Sequence, residues 1–99
     1  MKQIYVYDNQ EDKFISLLLG CFMEVDEDKL QQMLIVANNI TREFKILKVY
    51  LENNLNYMCA SCEFYYTDRQ SLEYNIRKSL QLLGKIRTSL REALKKLSD

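Results

Sequence analysis

Two cysteines three residues apart, Cys59-Ala-Ser-Cys62, are the residues of this chain whose type and spacing come closest to a known chemistry. Such a pair works as a redox dithiol when a helix N-terminus lowers the thiol pKa, or forms half of a zinc site. The surrounding residues instead alternate as a strand does. Met58, Ala60, Cys62, Phe64 and Tyr66 fall on one face, and Tyr57, Cys59, Ser61, Glu63 and Tyr65 on the other. Three steps along a strand span about 10 Å and end on the opposite face, beyond the roughly 7 Å that a disulfide bridges. Zinc wants four ligands, and only Cys21 and carboxylates remain to supply them. Both thiols are therefore expected to be packing residues, Cys62 in the core and Cys59 on the second sheet face.

The chain has no histidine, which excludes Ser-His-Asp and Cys-His catalysis and histidine-metal sites. The acidic run Glu24-Val-Asp-Glu-Asp28 lacks the glycine and spacing of a calcium loop and reads as a helix start. Asp8 to Asp12 reads as a solvated turn. No spacing fixes a pair of carboxylates or tyrosines for acid–base work, so no catalytic, cofactor-binding or metal-ligating residue is assigned and the chain is not expected to be an enzyme.

Two surfaces remain. Seven tyrosines are present, and Tyr5, Tyr7, Tyr50, Tyr57 and Tyr65 fall on strand faces directed away from the helices. Tyrosine offers apolar area with a polar tip, so this face is a candidate for partner binding, set against the plainer reading of a half-exposed sheet. Charge is also uneven. Residues 1–68 carry 11 acidic and 6 basic side chains, and residues 69–99 carry 8 basic and 3 acidic. Arg77, Lys78, Arg91, Lys95 and Lys96 would form a basic helix face, which supports a nucleic-acid-associated role as the alternative. The net charge of zero argues for a solvated face instead, with cations favoured near the helix C-terminus.

The elements that position these residues follow from periodicity. Residues 2–7 alternate as a strand, with Ile4 and Val6 opposite Tyr5 and Tyr7. Residues 14–23 form the next apolar segment; three consecutive leucines fit either state, and a strand is favoured. In that strand Ile15, Leu17, Leu19 and Cys21 share a face and Gly20 marks a bulge or close approach. A helix follows with Asp26 as N-cap and Leu30, Met33, Leu34 and Ala37 as its apolar face, ending near Arg42. Residues 45–52 and 57–66 form a hairpin about the Asn53-Asn54-Leu55-Asn56 turn. Thr67-Asp-Arg-Gln70 then matches a capping box with Thr67 as N-cap.

The last helix carries the stripe Leu72, Ile76, Leu80, Leu83, Ile86, Leu90, Leu94 and Leu97, with Gly84 inside it as a close packing point or bend. At about 45 Å it should overhang a domain whose radius of gyration is near 13 Å. Leu83, Ile86, Leu90, Leu94 and Leu97 are therefore the candidate helix-pairing or dimer surface, to be covered by the other helix or by a second copy. The order β-β-α-β-β-α predicts an α+β two-layer sandwich: an antiparallel sheet with helices on one face.

Ninety-nine residues, 47% hydrophobic and 28% charged, suit one globular domain over 1–99. No stretch reaches the roughly 20 apolar residues of a membrane span, and the N-terminus has no apolar secretory core. A cytoplasmic protein with reduced thiols and no membrane partner is expected.

The stretch from Leu34-Ile-Val-Ala-Asn-Asn through Thr41 and into Lys48-Val-Tyr-Leu51 resembles the YbjN-like family, whose fold is similar to that of type III secretion chaperones. There an Ala-Asn helix end leads directly into a Lys-Val strand. Asn38 matches the first Asn, and Thr41 stands where a second is common. Residues 56–67 resemble the family's next strand and 71–90 its closing helix, so the likeness covers 2–97 by order and 30–90 by pattern. The family usually begins with a helix, and this chain begins with a strand; the helix is either absent here or supplied by a dimer partner. The resemblance implies a non-enzymatic protein-binding module: family members are described as sensory-transduction regulators, and the chaperone relatives bind extended client segments, often as dimers. It transfers no ligand residue. A protein client or a second copy is the expected partner, with no cofactor.

Overall fold

A computed structural model describes residues 4–52 and 56–98. Strands β1 (Ile4–Asn9) and β2 (Phe14–Glu24) lead through a 3₁₀ turn (Glu27–Lys29) into helix α1 (Leu30–Glu43). Strands β3 (Leu47–Glu52) and β4 (Tyr57–Tyr65) and the 30-residue helix α2 (Arg69–Ser98) complete the chain. The four strands form one antiparallel sheet in the order β1-β2-β4-β3. The expected α+β order is therefore present. The strand start at residues 2–3 and the turn at 53–55 lie outside the described residues.

The alternation of β2 and β4 decides which face is buried. Ile15, Leu17 and Leu19 of β2 join Met58, Ala60, Cys62 and Phe64 of β4 and Leu47 and Val49 of β3 beneath the helices. The helices answer with Met33, Val36, Ala37 and Ile40 from α1 and Leu83, Ile86 and Leu90 from α2. The α1 face is thus turned from the one expected: Leu34 is 48% exposed, and Val36 and Ile40 take its place. Helix α1 lies along β3, while α2 crosses β4 and β2.

Helix α2 begins one residue later than the capping box predicted. Asp68 is the cap: its Oδ1 accepts from the Ser71 N–H at 2.8 Å, and Ser71 Oγ accepts from the Asp68 N–H at 3.3 Å. This is the same reciprocal logic, with serine in place of the longer Gln70. The expected overhang of α2 is also resolved within the chain. The molecule is 44 Å long, about the length of α2 itself. Ile40 and Phe44 of α1 and Leu82, Ile86 and Ala93 of α2 line one groove and belong to, or pack against, the same buried cluster, so α1 is the cover. The buried seam runs through Ser79, Leu83, Ile86 and Leu90, whereas Leu80 and Leu97 are each 46% exposed.

Gly84 is not a close packing point. The helix is continuous across it, and a Cβ built there meets nothing within 4 Å. Gly84→Ala should therefore add about 1 kcal/mol of stability, read in a thermal melt as a rise of about 4–8 °C. An unchanged or lower melting temperature would mean that the helix needs the glycine.

Candidate functional site

The open face of the sheet is ordered by its register. Tyr5, Leu18, Ser61 and Lys48 lie in one row across the four strands. Tyr7, Ser16 and Glu63 form the next row, and Asn9, Phe14 and Tyr65 the one beyond it. The Phe14 and Tyr65 rings meet at 4.8 Å between centroids, tilted by 59°. Lys48 Nζ reaches diagonally to Glu63 Oε1 at 3.4 Å. Tyr5, Tyr7 and Tyr65 are more than half exposed, Tyr65 at 72%.

All five candidate tyrosines share this face but not one patch. Tyr5, Tyr7 and Tyr65 gather with Phe14 toward β1 and the β1–β2 turn. Tyr50 and Tyr57 lie at the far end, opposite Cys59 and Glu52 respectively. Burial pushes the Tyr50 hydroxyl pKa up, with Cys59 and the Glu52 carboxylate adding to it. The centre is low: Ser61 and Cys59 are small, and their taller neighbours bury them without a covering layer.

The two edges of the sheet differ. On β3, Thr41 of α1 occupies the outer edge. Its hydroxyl accepts from the Val49 N–H at 3.0 Å and donates to the Val49 carbonyl at 3.4 Å. A side chain that takes both outward main-chain groups of Val49 obstructs a further strand at the middle of that edge. On the other side, β1 is the terminal strand among the described residues. Its side chains project on both faces: Tyr5 and Tyr7 on the open face, and Val6, 59% exposed, on the helix side, where the helices stop short of it.

The second candidate surface is part of the core. Leu83 and Ile86 are buried, Leu90 is fully buried, and Leu94 is half-buried against the cluster. These residues pack α2 onto its own α1 and sheet, the helix-pairing alternative for this surface, while Leu97 is 46% exposed. Arg87 donates a hydrogen bond to the Phe22 carbonyl. The basic residues Arg77, Lys78, Arg91, Lys95 and Lys96 are all exposed along α2.

The cysteines depart from expectation in one respect. Cys59 and Cys62 lie on opposite faces of β4, both buried, as strand alternation requires. Cys21 does not share the face of Leu19. Two extra residues enter β2 between Leu19, paired with Ala60, and Met23, paired with Met58. This bulge gives Cys21 a φ of 46° and sends Phe22 into the core. The Cys21 N–H then donates to Cys59 Sγ at 3.1 Å. Cys59 in turn points its thiol at Glu52 Oε2, 3.9 Å away. Gly20 signalled an irregularity in the sequence, but it holds no positive φ; the left-handed position is Cys21. Among the described residues no cluster of histidine, cysteine and carboxylate side chains could hold a metal ion, and no helix is long and apolar enough to cross a membrane. No family model, no curated protein and no solved structure matches the chain.

Proposed function

We propose that the protein is a non-enzymatic protein-binding module that holds an extended segment of a client as an added strand on β1, in the chaperone-like or regulatory manner of the YbjN-like family. The observation that carries this reading is β1 itself, an edge strand with Tyr5 and Tyr7 exposed on one face and Val6 on the other. Strand addition draws affinity from main-chain hydrogen bonds and specificity from alternate side chains. Here both rows of an incoming strand find apolar partners, and Tyr65 with Phe14 extends the aromatic row beyond the strand. Thr41, seated on the outward groups of Val49, obstructs β3 and favours β1 for the client. A second copy is the occupant we infer when no client is present, which moves the homodimer reading from α2 to this edge.

The test is selection of extended peptides on the purified protein, followed by hydrogen exchange. Bound peptide should slow exchange of the β1 amides. Tyr7→Ala with Tyr65→Ala should weaken the selected peptide about tenfold or more while the thermal melt stays close to that of the parent. Protection confined to the groove between α1 and α2, or unchanged affinity in the double variant, would overturn the reading.

A further inference from the structure

We propose that Cys21 and Cys59 form a peroxide-responsive dithiol, closed to a cross-strand disulfide on the open face while Cys62 remains a thiol. The pair is made by the bulge. Between the register points Leu19–Ala60 and Met23–Met58, Cys59 alone faces the segment from Gly20 to Phe22, with Cys21 at its middle. The 3.1 Å contact from the Cys21 N–H to Cys59 Sγ places that sulfur against the Cys21 main chain. The two thiols also lie within interaction range of each other.

The two sulfurs differ in access. Cys21 is partly exposed and Cys59 is 2% exposed, so oxidant meets Cys21 first. Hydrogen peroxide oxidises the Cys21 thiol to a sulfenic acid; one peroxide oxygen goes to sulfur and the other, taking the thiol proton, leaves as water. Cys59 then attacks the sulfenyl sulfur, the S–S bond forms, and the displaced hydroxide takes a proton to leave as a second water. In sum, two thiols and one peroxide give one disulfide and two waters. Burial pushes the Cys59 thiol pKa up, so the second step needs a proton acceptor. Glu52, whose Oε2 accepts from that thiol at 3.9 Å, is placed to be it. Cys62 is on the other face of β4, inside the core, and takes no part.

The folded protein is treated with hydrogen peroxide, denatured, and its remaining thiols alkylated; reduction and a second alkylating label follow, with mass spectrometry to assign each cysteine. The thiol count should fall from three to one, with the first label on Cys62, the second on Cys21 and Cys59, and a monomer band on a non-reducing gel. Glu52→Gln should slow closure and move its pH profile upward, without changing the cysteines joined. A disulfide between chains, a Cys59–Cys62 bond, or Cys21 carried on to sulfinic acid with Cys59 still a thiol would overturn the proposal. An unchanged closure rate in Glu52→Gln would remove Glu52 from the step.

Discussion

Leu90→Ala is expected to lower the stability of the protein by about 2–5 kcal/mol, a large share of what a domain of this size holds. Leu90 is fully buried and belongs to the cluster that joins both helices to the sheet. Truncation removes its apolar area from the core and leaves a cavity that α1, held at both ends by β2 and β3, closes only in part. In urea unfolding the midpoint should fall by about 1 M or more. Leu80→Ala and Leu97→Ala are the controls. Both leucines are 46% exposed, and their replacement should cost less than about 1 kcal/mol each. Equal losses at all three positions would mean that the outer leucines are covered too, as a coiled-coil pairing of α2 with a second copy requires.

The contrast among these leucines shows how far periodicity reaches. The 3.6-residue repeat identified α2 and most of its inner face correctly. It could not choose between Ser79 and Leu80, because hydrophobicity alone favours leucine and only the position of the sheet and α1 fixes the rotation of the helix. Ser79 is 0% exposed for that reason, a polar residue in a seam that a count of leucines passes over. The face of α1 was misjudged in the same way. Leu30, Met33, Leu34 and Ala37 fit one helical stripe and Met33, Val36, Ala37 and Ile40 another about 60° around; the two share Met33 and Ala37, and the strand beneath selects the second.

The sheet was easier to read because a period of two leaves fewer choices. The faces of β3 and β4, and the tyrosines on the open side, followed from alternation alone. That rule fails where residues are inserted. The bulge in β2 reverses Cys21 and Phe22, brings a thiol to Cys59 and a phenyl ring to the core, and leaves no mark in composition beyond Gly20. The division of the tyrosines into two groups was equally hidden, since it depends on the register between strands far apart in sequence. So was the difference between the two edges, which rests on one hydroxyl of α1.

Thr41→Val isolates that hydroxyl. The substitution keeps the β-branched shape and removes the two hydrogen bonds to Val49, whose N–H and carbonyl face outward from β3. Leaving part-buried main-chain groups without partners costs about 1–3 kcal/mol, offset where water reaches them. The urea midpoint should therefore fall, by less than for Leu90→Ala. A second effect separates an edge role from simple stabilisation. With Thr41 in place the outward groups of Val49, at the middle of β3, are taken; without it they are open to a further strand, and β3 as well as β1 can then pair. The variant should form larger species than the parent in light scattering, and these should persist when β1 is blocked by a selected peptide. A variant that loses stability but keeps the parent's mass would show that Thr41 holds α1 to the sheet without guarding its edge, and client selection by β1 would then need another cause. Thr41→Ser, which keeps the hydroxyl and drops the methyl, should restore the parent's mass if the hydrogen bonds to Val49 are what obstructs β3.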